Sequence, residues 1–180
     1  MLFRSLGDAH TDVNLFFVDR LFGYLKDLGY SSNEVDAVVQ GPRPDSWAEL
    51  PRRLAAVRAF TKLPEAASLA AANKRVGNIL KKASGGGGDI TDPARFIEFA
   101  EIALHAALSL VQPKADAAFA SGDYTASLQA LAALKAPVDA FFDSVMVNAD
   151  DPALKANRLA LLHQLHQTMN RVADISRLAA

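Results

Sequence analysis

Cysteine is absent from this 180-residue chain. Its absence excludes disulfides, cysteine-ligated zinc, iron–sulfur clusters and thiol catalysis, and it agrees with a reducing compartment. No apolar run approaches the roughly 20 residues that a membrane-spanning helix requires. The opening residues, MLFRSLGDAHTD, are too few and too polar for a secretion signal. Together these absences predict a soluble, cytoplasmic protein that has no membrane partner.

Residues that disfavour helices are also scarce. Alanine (34) and leucine (23) supply almost a third of the chain, whereas threonine, valine and isoleucine are few. Alanine and leucine are among the strongest helix formers. The chain is long enough for one domain of about 100–200 residues. The composition therefore predicts a single all-α domain.

The net charge of −1 argues against a wholesale nucleic-acid binder, but the charges are unevenly placed. Residues 43–82 hold nine Lys and Arg against three acids, and residues 83–151 hold three against ten. Residues 152–180 are basic again, with four against one. A basic patch on a neutral domain is typical of local contact with a phosphate backbone. The charge pattern alone is equally consistent with an ordinary helix whose charged face is solvated.

Hydrophobic periodicity and chain breakers predict a bundle of about eight helices with short connections. Among the predicted ranges are a first helix from Asp12 to Leu28, a fifth helix over about 93–110 and a last helix over about 152–178. We expect Pro113 to separate the fifth helix from the next one. The glycine-rich segment SGGGGDITDP at 84–93 lacks the Gly-Lys-Ser/Thr of a phosphate-binding loop, so we interpret it as a flexible connector.

The helix predicted to end near Ala83 has one dry face and one cationic face. At 100° per residue, the outward arc spans about 120° and holds four cations and one amide, with no acid between them. These residues are Lys74, Arg75, Asn78, Lys81 and Lys82. A helix built only for solubility usually mixes charge signs. The arc therefore favours a binding function over the alternative of a solvated face.

Arg158 lies in the middle of the apolar stripe of the last helix. A guanidinium in such a place needs an acceptor, because burying an unpaired charge is costly. Asp139 and Asp143, on the preceding helix, are the candidate partners. We interpret this cluster as a structural ion pair rather than as a catalytic group.

No constellation predicts a metal site or catalysis within the chain. His163 and His166 stand three residues apart, but no further ligand has a suitable spacing. Glu98 and Glu101 lack the Glu-x-x-His repeats of a di-iron bundle. No nucleophile elbow is present either.

Two segments carry a resemblance to a known family: AAANKRVGNILKK at 70–82 and DAFFDSVMVNADDPALKANRLALLHQLHQTMNRVADISRL at 139–178. They resemble the C-terminal end of the β subunit of bacterial glycyl-tRNA synthetases of the tetrameric α2β2 type. The likeness extends over about residues 11–178. It implies a DALR-type anticodon-binding helical bundle at 43–180, with 1–42 as a helical lead-in from the preceding part of the subunit.

The resemblance also implies the partners and the chemistry. The domain would bind the anticodon arm of glycine tRNA, not DNA, and would contact the remainder of the β subunit and the α subunit. The α subunit would carry the aminoacylation site with ATP and magnesium, so no cofactor is expected in this domain.

Glycine anticodons carry two cytosines, which offer an amine donor and two acceptors when unstacked. Asn73, Lys74, Arg75 and Asn78 could supply groups that read them, and Lys81 and Lys82 would hold phosphates. Asp143 and Asn148 are candidate acceptors. The stacking candidates are Trp47, Phe141 and Phe142, although a double phenylalanine on a helix is more often core.

Two rival interpretations remain at this point. The first is a helical docking module of a larger complex, whose basic face meets an acidic partner instead of RNA. The second is a free-standing enzyme with a site inside the bundle, for which Arg158 alone offers too little chemistry.

Overall fold

The computed structural model describes residues 20–44, 46–83 and 90–179, and all regular structure in these ranges is helical. The predicted all-α class is therefore confirmed. Residues 20–27 form the described part of the first helix, α1, whose predicted start at Asp12 lies outside the described residues. The helices that follow are α2 (Ser32–Val39), α3 (Leu50–Thr61), α4 (Ala66–Lys82), α5 (Phe99–Ala120), α6 (Tyr124–Ala130), α7 (Lys135–Ser144) and α8 (Pro152–Met169).

Local signals in the sequence set several helix ends. Gly29 takes a φ of 84° directly after α1, a backbone conformation that glycine adopts without strain. The hydroxyl of Ser31 accepts the backbone N–H of Glu34, and the Glu34 carboxylate accepts the N–H of Ser31. This reciprocal capping box fixes the start of α2. Asp151 caps α8 with its own side chain only, by accepting the N–H of Ala153.

The prediction for α5 was wrong at both ends. Pro93 opens only a short 3-10 turn, Pro93–Arg95, and α5 begins at Phe99. Pro113 does not separate two helices but lies inside α5. Pro113 and Ser109, whose carbonyl would have accepted the missing N–H, are both exposed, so water can satisfy that carbonyl.

The last helix is also shorter than predicted. α8 ends at Met169, and a separate 3-10 turn, Ile175–Leu178, follows it. The Asn170 side chain donates to the carbonyl of His166 at the helix end. The turn after α8 packs against both α4 and α2. The chain therefore leaves the helix axis to close one end of the bundle.

One core runs through the described residues. α5 packs against α6, α7 and α8, while α4 packs against α7 and α8. Phe60 and Phe141 are the largest fully buried side chains, and leucines supply most of the other large ones. From the predicted lead-in, Val35 and Ala37 of α2 belong to the same core. The domain division at residue 42 stays a prediction.

Candidate nucleic-acid interface

The outward arc of α4 is exposed along its length. Lys74, Arg75, Asn78, Lys81 and Lys82 are all exposed, whereas Leu69, Ala70 and Val76 of the same helix are completely buried. Ala66–Lys82 contains no acidic residue. The five exposed side chains therefore present donors to the solvent without an acid on the same helix to neutralise them.

Asn73 does not belong to this surface, and its prediction as an RNA contact was wrong. The side chain is 0% exposed. Its amide nitrogen donates to Oδ1 of Asn170 at 2.8 Å, and Asn170 donates back to Oδ1 of Asn73 at 3.1 Å. Asn73 points about 100° away from Lys74 on the helix, so it faces α8. Its role is to join α4 to the end of α8.

Arg75 has a fixed neighbour on α7. The centre of its guanidinium lies 4.2 Å from the centroid of the Phe142 ring, within the range of a cation–π contact. Phe142 is partly buried and meets Phe141 edge to face at 5.6 Å. Phe141 itself is fully buried, so its prediction as a base-stacking residue was wrong. Trp47 is half exposed in the turn before α3.

A cleft of about 440 Å³ lies beside the arc, between α4 and the end of α8. Lys74, Asn78 and Lys81 line one side of it. The opposite side presents acceptors and neutral polar groups, namely His166, Asn170, Asp174 and Ser176. The cleft therefore sets cationic donors across from acceptors, which is the combination that the edge of an unstacked base requires.

His166 of α8 lies beside Gly77 of α4. A Cβ added at Gly77 would lie 3.5 Å from its Nε2, which is van der Waals contact distance. Burial lowers the pKa of His166; Lys81 and His163 lower it further, while the carboxylate of Asp174 raises it. The net shift is downward, so the imidazole is neutral at neutral pH and keeps one acceptor nitrogen.

A second cleft of about 580 Å³ adjoins the first, since His166, Asn170 and Pro42 line both. Its lining includes Arg43 and Arg171 together with Asp116, whereas Arg53 is buried beneath it. The buried Arg53 is held by the Glu49 carboxylate and by the carbonyls of Pro42 and Val172. Arg171 lies over the Phe119 ring and 3.4 Å from Asp116. Cationic groups thus continue beyond α4 around the end of α8.

Comparison with known families identifies the family to which these helices belong. A family model described as the DALR anticodon binding domain matches residues 69–176. This range exceeds half of the chain and includes α4 from Leu69 onward, all of α8 and most of the residues that line the cleft between them. The chain belongs to the DALR anticodon-binding domain family. The resemblance inferred from the sequence is therefore confirmed.

Relatives of this DALR domain are glycine–tRNA ligase β subunits. That of Thiobacillus denitrificans is 71% identical over 97% of this chain and 25% of its own length. Those of Dechloromonas aromatica and a Janthinobacterium species are 64% and 60% identical over 92% and 99% of this chain. The chain spans about a quarter of the length of these curated relatives.

Arg158 forms a buried ion pair in this DALR domain, but the two predicted partners were wrong. Its Nε lies 2.8 Å from Oε1 of Glu101 on α5, and its Nη1 donates to the carbonyl of Met146. Asp139 instead accepts from Lys135 at 2.6 Å and from Ser68. Asp143 is exposed on α7. The apolar stripe of the last helix correctly placed Arg158 in the core, but it carried no information on α5.

Burial raises the pKa of the Glu101 carboxyl, but its bonds with Arg158 and with the N–H groups of Glu98 and Ile97 lower it more, so the net pKa lies below the ordinary value. The carboxylate therefore stays charged within the core. The pair joins α8 to the start of α5.

Sequence reasoning missed the acceptor side of the cleft. Asp143 and Asn148, the proposed acceptors, do not line it, whereas Asp174 does. Asp174 also caps the last turn by accepting the N–H of Ser176. The only local signal was its position ahead of a short helical turn, which predicts a cap and not a site. Packing of that turn on α4 brings Asp174 to the lysines.

Residues 20–44, 46–83 and 90–179 contain no group of three or more His, Asp or Glu side chains that could hold a metal ion. Within the same ranges, no helix combines the length and apolarity needed to cross a membrane.

Proposed function

We propose that this chain is the anticodon-binding domain of a glycine–tRNA ligase β subunit and that it binds the anticodon arm of glycine tRNA. The observation that carries the proposal is the exposed arc of α4, five donor side chains with no acid on the helix, within the DALR match. Lysine and arginine side chains placed in this way suit the closely spaced phosphates of an RNA loop.

The adjoining cleft supports base reading as well as phosphate contact. An unstacked cytosine presents one amine donor and two acceptors on its pairing edge. Lys74 and Asn78 can donate to the two acceptors, and Asp174 or the neutral ring of His166 can accept from the amine. Lys81 and Lys82, further along the arc, would neutralise phosphates.

In this proposal the chain contributes recognition and the rest of the enzyme contributes the chemistry. The α subunit would activate glycine with ATP and magnesium and transfer it to the tRNA. The anticodon domain would hold the far end of the tRNA and would belong to a cytoplasmic α2β2 ligase. The support is the identity, 60% or more, to the β subunits named above.

A titration of the chain against two RNA stem-loops tests the proposal. One carries a glycine anticodon, and the other is identical except that both anticodon cytosines are replaced. We expect tighter binding to the cytosine loop and weaker binding to both as salt rises from about 50 to about 200 mM. Equal binding to both loops would contradict base reading by this domain. If an acidic protein binds the chain and neither RNA loop displaces it, the docking-module interpretation is correct instead.

A further inference from the structure

The outer face of α5 is apolar where a surface helix is normally polar. Three of its large side chains are mostly or half exposed: Phe99 at 84%, Leu110 at 67% and Ile102 at 50%. The smaller residues Ala106, Pro113 and Ala117 on this face are also exposed. We call these six residues the α5 stripe.

The α5 stripe lies opposite the core-facing side of the helix. At 100° per residue its six members fall within about 80° of arc. The core side is formed by Ala100, Leu104, Leu108, Val111 and Ala115, all of them buried. From Phe99 to Ala117 the stripe is about 27 Å long at 1.5 Å per residue.

Such a helix differs from an ordinary surface helix. A helix that is hydrophobic on all sides is usually buried, because an exposed helix gains from polar residues on its outer side. α5 has only three charged residues: Glu101 is buried, Asp116 lies 3.4 Å from Arg171, and Lys114 is exposed. An exposed apolar patch of this kind marks an interaction surface.

Buried contacts hold further exposed apolar side chains near the start of the stripe. Ile97 is 68% exposed and Met146 is 74% exposed. Glu101 accepts the N–H of Ile97, and its partner Arg158 donates to the carbonyl of Met146. One buried ion pair therefore fixes the backbone at two exposed apolar residues, so the patch is held in place before any partner arrives.

We infer that the α5 stripe is the surface against which another part of the β subunit packs, an inference that rests on the proposed function. The curated relatives are about four times as long as the segment that matches this chain, so most of their polypeptide lies outside it. The partner that fits the stripe is an apolar protein face. RNA does not fit it, because residues 83–151, which include α5, carry seven more acids than bases and would repel its phosphates.

The stripe is separate from the proposed RNA surface. α7 and α8 each pack against both α4 and α5 and so stand between them. The stripe can therefore be covered by protein while the α4 arc is open to RNA.

Single cysteines test the inference, because the chain has none of its own. The chain replaces the matched quarter of the Thiobacillus denitrificans β subunit, co-expressed with the α subunit of that ligase. Leu110→Cys probes the stripe, and Lys82→Cys is the control on α4. Maleimide labelling of each is followed by mass spectrometry, in the isolated chain and in the assembled enzyme, with and without tRNA.

We expect Leu110→Cys to be labelled at least about tenfold more slowly in the enzyme than in the isolated chain, since a covered thiol reacts only through local opening. Lys82→Cys should keep its rate until tRNA is added. Equal rates for Leu110→Cys in both states, or equal slowing of Lys82→Cys without tRNA, would overturn the inference. Slower labelling of Leu110→Cys in the isolated chain as its concentration rises would assign the stripe to a second copy and would also overturn it.

The two proposals fail separately in this experiment. If tRNA does not protect Lys82→Cys even at a concentration well above the one that the unsubstituted enzyme needs, while Leu110→Cys is protected by assembly, the RNA-binding proposal is wrong and the docking surface stands. If tRNA protects Lys82→Cys but assembly does not protect Leu110→Cys, the RNA-binding proposal stands and the docking surface is wrong.

Discussion

α4 and α5 are built alike on the inside and differently on the outside. Each buries a row of leucine, alanine and valine, and each has one polar side chain that is completely buried, Asn73 in α4 and Glu101 in α5. Both of these side chains are bound by the C-terminal part of the chain, at Asn170 and Arg158. The outer face of α4 carries cations, whereas that of α5 carries apolar residues. The inner faces thus define the fold, and the outer faces differ in the way that the two proposed partners, RNA and protein, require.

The two buried pairs differ in chemistry as well as position. Arg158 lies early in α8 and forms a charged pair with Glu101, whereas Asn170 follows the end of α8 and forms a neutral amide pair with Asn73. A buried charge left without its partner costs more than a buried amide left without its partner. Breaking the pair at one end of α8 should therefore lower the free energy of unfolding by a different amount from breaking the pair at the other end.

The largest expected effect is that of Arg158→Ala. The substitution leaves the Glu101 carboxylate buried without its counter-charge, and we expect the free energy of unfolding to fall by about 3–5 kcal/mol. Urea denaturation followed by circular dichroism measures it. Lys135→Ala is the control, because its pair with Asp139 is about 40% exposed on both sides; it should cost no more than about 1 kcal/mol. Similar losses for the two variants would contradict the difference between buried and exposed pairs.

Asn73→Ala should have the next largest effect. It removes a fully buried amide and leaves Oδ1 of the partly buried Asn170 without its donor, which costs about 1–3 kcal/mol of unfolding free energy. Asn78→Ala is a matched control on the same helix, because the same amide is lost from an exposed position. That control should stay within about 0.5 kcal/mol of the wild type. If both variants are equally stable, Asn73 does not anchor α4.

Arg75→Ala should weaken binding to the glycine stem-loop by roughly 1–3 kcal/mol and reduce the preference for the cytosine loop, if Arg75 reads a base. Lys82→Ala should weaken both loops alike and lower the salt slope by about 1, as expected for a phosphate contact. Fluorescence titration at two salt concentrations distinguishes them. An equal loss on both loops for Arg75→Ala would reassign that residue to the phosphates.

The smallest expected effect concerns pH. Because the pKa of His166 is lowered below 6.5 on folding, the folded chain binds fewer protons than the unfolded chain just below that pH. This contribution to stability is present above pH 6.5 and is lost as the pH falls toward the folded pKa. His166→Gln should flatten that part of the stability profile, measured by urea denaturation between about pH 7.5 and about pH 5.5. Parallel profiles for the variant and the wild type would contradict a buried, neutral imidazole.

Glu101 provides an internal check on that measurement. Its pKa is also lowered, from an ordinary value of 4.5, so its contribution is lost only as the pH falls below that value. As the pH falls, the loss of stability at His166 therefore begins at a higher pH than the loss at Glu101. A variant at one position should leave the loss at the other position unchanged.

The sequence was sufficient for features that depend on neighbours along one helix. The all-α class, the Ser31 capping box and the outward arc of α4 follow from composition and from spacings of three and four residues. The same spacing placed Arg158 in the core. The local rule that a proline ends a helix failed at Pro113. A proline that faces the solvent can stay inside a helix when its missing hydrogen bond is replaced by water.

Only the tertiary structure decided which helices meet. Glu101 lies 57 positions from Arg158, and Asn73 lies 97 positions from Asn170, so no local pattern connects them. The pairing of Lys74 with the Asp174 side of the cleft, and the exposure of the α5 stripe, depend on the packing of whole helices. The sequence by itself determined what each helix presents on each face, because side-chain direction follows from helical geometry. Packing determined which face is covered and by what, because burial is a property of the assembled chain.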